Sequence, residues 1–433
     1  MTIPWHNLVE DGQADRPCAE ASLKEKTTLV ARVGLMALSF GTSAWRVRRC
    51  MNILSRALDI TCSADIGLLT LEVTCFDASD SYTQAYALRT SSVNTDKLDR
   101  LERLVRDFPE AAGSTSVEAW HRKLDELEKR PGNYNALLIG LAAAFACCAF
   151  TFLLGGGVPE MICAFLGAGV GQFLRVKLIG KRITLLGNVI ASVMAACLTY
   201  VLCITAAEHL FHLSEVHEAG YVCAMLFIIP GFPLITGGID LAKLDMRSGM
   251  ERMLFALLII TVATLTGYAM AWVLHFQPGL FPDLQLQPAL QAVLRLLASF
   301  VGVFGFSVLF NSPPRMAALA GLVGMVANTL RLELIDLASV PPGLAAFLGA
   351  FTAGLIASGF YHKVGYPRVA LTVPSIVIMV PGLYLYRGVY HLGLSNLSEG
   401  SLWLTEAVLI MLALPLGLIL ARILTNKAFR HST

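Results

Sequence analysis

Charge is scarce in this chain, and what there is crowds to one end. Asp, Glu, Lys and Arg make up 15% of 433 residues, and more than half of them precede Tyr134. A net charge of +2 and a pI near 8.0 offer no field to nucleic acid, and no basic block interleaves with aromatics. The start, MTIPWHNLVEDGQADRP, has no basic stretch leading into an apolar core, so no secretory signal is expected. The 10 cysteines form no C-x-x-C pair. Cys147 and Cys148 adjoin, and Cys163, Cys197, Cys203 and Cys223 sit in apolar runs, which suits free thiols packing as small hydrophobes. There is no G-x-S-x-G, no H-E-x-x-H and no phosphate-cradling loop, so no enzyme and no cofactor is expected. GAGVGQ at 167–172 is half a dinucleotide fingerprint, but it follows no strand and reads as helix packing through Gly167 and Gly171.

Apolar residues are abundant: 55% of the chain, with a mean hydropathy of +0.64. A run of about 20 such residues crosses a bilayer core of about 30 Å. Ten stretches qualify, near 136–154, 159–174, 183–207, 221–239, 253–276, 289–310, 314–330, 343–361, 369–391 and 401–423. Before them lies a polar region. Residues 1–22 read as a disordered N-terminus and 23–132 as a small cytoplasmic α+β domain. In that domain the periodicity predicts a helix over 27–58 with a gap at Gly41–Ser43, then a hairpin around DASD. Two further helices follow, at 95–108 and from Thr115, where Thr115 and Glu118 fit a capping box.

Loop charges set the orientation. Arg175, Lys177, Lys181, Arg182, Lys243, Arg247, Arg252, Arg315, Lys363 and Arg368 fall in alternate loops, and the tail carries Arg422, Lys427 and Arg430. Both termini are therefore expected inside, and only Arg331, near Glu333 and Asp336, is on the wrong side. The outer loop EHLFHLSEVHE holds His209, His212 and His217 with Glu208, Glu215 and Glu218; their spacing could hold zinc, but it is loose and has no H-E-x-x-H, so the loop reads as solvated and no metal is expected.

The chain echoes itself. FIIPGFPLITGGID at 227–240 resembles IMVPGLYLYRGVY at 378–390, pairing Pro230-Gly231 with Pro381-Gly382. VPEMICAFLGAGVGQFLR at 158–175 resembles PPRMAALAGLVGMVANTLR at 313–331. LLGNVIASVMA at 185–195 resembles FLGAFTAGLIA at 347–357. The order is the same in both halves. The fold expected is an α-helical polytopic membrane protein, its spans forming two inverted five-helix repeats over 133–277 and 278–433. Such repeats recur in secondary transporters, with the site where matching spans are short or broken by Gly and Pro.

Candidate site residues follow. Pro230, Gly231, Pro381 and Gly382 release backbone groups at depth. Asn188, Asn311, Asn328, Gln172 and Ser375 either bind a zwitterion or join helices. Asp240 is either a substrate-amine or proton site, or a solvated cap paired with Lys243 or Arg252. Arg295 and Glu406 are an ion pair or a proton-linked gate. Arg387 is a carboxylate anchor or an interfacial residue.

Three stretches are similar to the threonine/serine exporter family, in a fused form with both halves in one chain. These are LMALSFGTSAWRVRRCMNIL at 35–54, VNTDKLDRLERLVRD at 93–107 and PGFPLITGGIDLAKLDMRSGMERM at 230–253. The second half, 289–423, resembles the family's smaller partner more loosely. The resemblance implies proton-driven export of threonine and serine across a bacterial inner (plasma) membrane by alternating access. It implies functional roles for Pro230, Gly231, Asp240, Asp245, Gly249 and Arg252. Split members of the family are linked to dicarboxylates, so an exporter of succinate-like cargo is the alternative. A membrane sensor with a cytoplasmic signalling domain is a further one. Tyr384 stands where Pro233 does in the first copy, and no aspartate matches Asp240. The expected partners are the small substrate, protons and the lipid bilayer; a homo-oligomer stays open.

Overall fold

The computed structural model describes residues 3–10, 12–212, 217–276, 281 and 284–430, so Glu215 of the His/Glu loop lies outside the described residues. Two compact units emerge: Met1–Gly132 with Ile239–Arg252, and Asn133–Gly238 with Met253–Thr433.

In the first unit the segment expected to be disordered carries two 3-10 turns, Trp5–Leu8 and Cys18–Glu20, with Trp5 and Cys18 buried. Backbone pairing holds it: Cys18 N–H donates to Thr115 O at 2.9 Å, and Val117 N–H to Arg16 O at 3.0 Å. Polar composition does not reveal such long-range bonds.

The single helix expected over 27–58 is two helices, α1 (Leu23–Ser39) and α2 (Ala44–Ala57). Gly41, at φ +84°, turns the chain between them, a conformation glycine takes without steric cost. The hairpin is present as β2 (Thr70–Phe76) and β3 (Ser81–Ala87), and a preceding β1 (Thr61–Ile66) completes an antiparallel sheet in the order β1-β2-β3. β1 escaped the sequence reading because TCSADI is polar and largely open to solvent.

Helix α3 (Thr95–Ala111) runs past Phe108 through Pro109. Helix α4 (Val117–Lys129) is capped by Ser116, whose Oγ accepts Ala119 N–H, and not by Thr115. Glu118 bonds His6 at 3.0 Å instead of closing a capping box. Phe108 and Trp120, 4.5 Å apart at their ring centroids, anchor a core with Leu29, Val33, Leu98 and Leu124.

The second unit is helical. In chain order come α5 (Ala136–Leu153), α6 (Val158–Gly180), α7 (Leu185–Phe211), a 3-10 helix (Glu218–Ile228), α8 (Gly231–Ala242) and α9 (Met246–Val273), the end of α8 and the start of α9 being the Ile239–Arg252 segment of the first unit. Then follow α10 (Pro288–Leu309), α11 (Pro314–Ala338), α12 (Pro342–Val364), α13 (Arg368–Val377), α14 (Gly382–Gly393) and α15 (Leu397–Thr425). Eight of these helices are long and apolar enough to cross a membrane. Two bent pairs qualify jointly: Gly220–Ile228 with Gly231–Ala242, bent by 62°, and Arg368–Val377 with Gly382–Gly393, bent by 44°. Taken as one span each, they make up to 10 spans, with the breaks in the fourth and ninth.

Packing repeats as well. α6 packs on α5 and α7, and the 3-10 helix touches all three; α11 packs on α10 and α12, and α13 touches all three. α5 and α10 join the two sets.

The first unit buries a titratable network around Arg32. Arg32 Nη1 donates to His121 Nδ1 at 2.8 Å, and its Nη2 donates to Asp125. Burial, and then the Arg32 charge, push the His121 pKa down from 6.5 to about 3. As pH falls through this window, the unfolded chain takes up a proton that the folded chain refuses. Stability present above pH 6.5 is therefore lost toward pH 3, by up to about tenfold in the unfolding constant per pH unit. Hydrogen exchange of the α4 amides, corrected for intrinsic rate, should accelerate accordingly, and His121→Gln should flatten that dependence.

Candidate functional site

Proline removes a backbone donor and glycine removes a side chain, so Pro-Gly inside a span both breaks the helix and admits a close neighbour. The two breaks are built alike. Before each proline, Ile229 N–H donates to Leu226 O at 3.2 Å and Val380 N–H to Val377 O at 3.0 Å. Across each proline, Gly231 N–H donates to Ile229 O at 2.9 Å and Gly382 N–H to Val380 O at 2.8 Å. Each following helix then starts from the proline carbonyl, which accepts from Leu234 or Leu385.

The breaks also close on each other. A Cβ at Gly231 would lie 3.0 Å from Val377 and 3.4 Å from Val380; one at Gly382 would lie 2.7 Å from Leu226 and 3.3 Å from Ile229. The relation is reciprocal: each glycine faces the two residues that stand before the other proline in matching positions. One difference is plain. The first break follows an 11-residue 3-10 helix, where the second follows an α-helix. Long 3-10 runs are uncommon and mark hinges or strained segments.

Beside the second break lies a cavity of about 210 Å³. Arg331 of α11, Tyr384 and Arg387 of α14 and Trp403 of α15 line it, together with the backbone at Val380–Gly382. Arg331 Nη1 donates to Met379 O at 3.3 Å, while its buried Nε has no partner among the described residues. The Arg387 guanidinium stacks 4.9 Å from the Trp403 ring centre, and Tyr384 meets the same ring edge-on at 5.2 Å. Two guanidiniums and a helix N-terminus together suit a carboxylate. Arg331 was visible in the sequence only as the charge that broke the orientation pattern.

Residues 28–275 match the family model for a threonine/serine exporter, and 295–424 match a second exporter model. The chain belongs to the threonine/serine exporter family. It is 24% identical over 92% of its length to a "Probable threonine/serine exporter" of Mycobacterium tuberculosis, covering 76% of that protein. It is 26% identical over 84% of its length to a "Threonine/serine exporter" of Corynebacterium glutamicum, covering 74% of it. A "Probable succinate transporter subunit YjjP" of Escherichia coli is 24% identical over 57% of this chain, covering 93% of that protein. No solved structure matches significantly.

In this exporter-family chain, a multi-pass membrane transporter, the remaining candidates disperse. Asp240 is fully buried and not a solvated cap. It accepts Ala44 N–H at 2.9 Å and Ser248 Oγ at 3.0 Å, and pairs with Arg252 Nε at 3.2 Å. Asp245 pairs with Arg48, and a Cβ at Gly249 would lie 2.7 Å from Leu241, which fixes the tight corner between α8 and α9. Arg295 pairs with Glu333 at 2.9 Å and with Asp336, not with Glu406, which is half-buried on α15. One helix turn aligns those two acids, and the sequence gap hid the match.

The neutral polar groups mostly join helices. Asn188 Nδ2 donates to Arg175 O, and Ser375 Oγ to Ala320 O at 3.0 Å. Asn311, at φ 59°, caps the turn before α11 and accepts Asn133 N–H at 2.8 Å. Asn328 Nδ2 donates to Ser299 Oγ at 2.9 Å. The buried carbonyl oxygens of Asn328 and Gln172 have no partner among the described residues. His209 and His212 are exposed but His217 is buried, so the outer His/Glu set is not uniformly solvated; the described residues contain no metal-holding group.

Two outcomes follow. Gly382→Val should overpack the paired breaks at a cost of about 1–3 kcal/mol. The melting temperature of the detergent-purified protein should fall, whereas Gly359→Val, with nothing within 4 Å, should leave it unchanged. Asp240→Ala should cost about 3–5 kcal/mol by stranding the buried Arg252, with Asp240→Asn milder in the same melts.

Proposed function

We propose that this chain is a secondary active exporter of threonine and serine, coupled to protons and working by alternating access. The observation that carries the reading is the reciprocal closure of two like Pro-Gly breaks. Two halves of five spans each, joined by such a contact, suit an inverted repeat whose halves exchange conformations. In this reading residues 23–132 form a cytoplasmic domain, 133–277 and 278–433 are the repeats, and both termini face the cytoplasm of a bacterial plasma membrane. The breaks form the centre of the path.

Substrate chemistry fits the cavity beside Pro381. Arg331 and Arg387 would hold the carboxylate, and the second lone pairs of the carbonyls at the break would receive the ammonium. The same two guanidiniums favour a second reading, in which a small dicarboxylate uses both. The two readings part at the ammonium, which only the amino acid carries.

Reconstituted vesicles test this. Labelled threonine should exchange across the membrane, and excess serine should compete where excess succinate does not. Flux of labelled succinate with none of threonine would move the cargo to dicarboxylates; no flux of either would sink the transporter reading. Arg387→Gln should raise the half-saturating substrate concentration about tenfold or more, as loss of a charged hydrogen bond worth about 1.5–3 kcal/mol requires. Arg331→Lys should keep part of the binding, since charge survives and the planar fork does not.

A further inference from the structure

Glu160 is the one carboxylate of the first turn of α6, and it is fully buried. Its Oε1 lies 2.7 Å from Nδ1 of His217, itself only 6% exposed, and its Oε2 has no partner among the described residues. Tyr200 of α7 donates its hydroxyl to the His217 carbonyl at 2.7 Å, fixing the histidine backbone. A Cβ at Gly220 would lie 2.7 Å from that of Glu160, so the start of the 3-10 helix lies tight against the stem of the Glu160 side chain. No part of the cavity at the second break uses this pair.

The charges around the pair matter as much as the pair. Cys163 of α6, Tyr200 and Glu208 of α7 and Cys223 of the 3-10 helix share its electrostatic surroundings, all neutral or acidic at neutral pH. Helix α5 contributes no Asp, Glu, Lys, Arg or His. The charge of Arg387 on α14 reaches Cys223. With one shared proton, the pair is neutral as a whole. Without it, a buried carboxylate is left beside a neutral imidazole, which a water-poor site tolerates badly. Release therefore demands that water reach Glu160.

We infer that Glu160 and His217 form the proton-binding site of the transport cycle, holding one exchangeable proton while the α6 end of the 3-10 helix is closed. The inference rests on the proton-coupled reading above. In that orientation the pair lies toward the outer face, where protons enter for export. The hinge-like 3-10 helix carries the histidine side of the pair at its start and the Pro230 break at its end, so opening one end changes the other. The second copy has Arg315 in the place of Glu160, so only one half carries the proton.

The test uses full-length protein in vesicles, with labelled threonine or succinate, whichever the wild type exchanges. Glu160→Gln and His217→Gln should lose accumulation driven by a pH gradient yet keep exchange of internal for external substrate, which moves no net proton. Glu160→Asp should restore part of the gradient response. Unaltered gradient-driven accumulation in both variants overturns the inference. If Glu160→Gln loses exchange as well, the pH profile of exchange in Glu160→Asp and His217→Gln decides: a shifted profile supports the site and a wild-type profile overturns it. Failure of the wild type to exchange either substrate would instead count against the transporter reading.

Discussion

Backbone that leaves a helix at membrane depth must find partners inside the protein, because the bilayer offers none. That constraint governs the second unit. Pro230 and Pro381 each interrupt a span, and each break answers the demand with the same short turn, in which the glycine N–H closes on the carbonyl two residues back. The glycines then let the breaks approach so closely that neither position has room for a methyl group without displacing the other strand of contacts. The two irregular segments pack closely against each other.

On this shared scaffold the side chains are unequal. Around the second break stand Arg331, Tyr384, Arg387 and Trp403, a cation-rich cavity with stacked aromatics. Beyond the first break the chain runs into the α8–α9 corner, where Asp240 is tied to Ser248, Arg252 and the first turn of α2. One half offers a place for an anion and the other a locked turn.

Buried charge is handled sparingly and in company. Arg32 meets His121 and Asp125, Arg252 meets Asp240, and Arg295 meets two acids one turn apart. Desolvating an ion costs several kcal/mol, so a lone buried charge would be hard to retain, and each of these carries its counter-ion. Glu160 departs from the pattern: its partner is a histidine, whose charge is conditional, and one of its oxygens is left over.

Much of this architecture was legible in the sequence because hydrophobic length and Pro-Gly punctuation are local signals. The count of spans, the broken fourth and ninth, and the pairing of Pro230-Gly231 with Pro381-Gly382 come from residues a few positions apart. Hydropathy dictates them, since a bilayer demands about 20 apolar residues whatever their neighbours do. The side-chain partners were not legible. Arg295 chose Glu333 and Asp336 over Glu406, Ser116 replaced Thr115 as a cap, and His217 left its loop companions for Glu160 across two helices. Those choices depend on distances that only packed helices define. The sequence alone determined where the chain breaks in the membrane; the tertiary structure decided what each break and each buried charge faces, because hydrogen bonds and ion pairs act over a few ångströms in space and not along the chain.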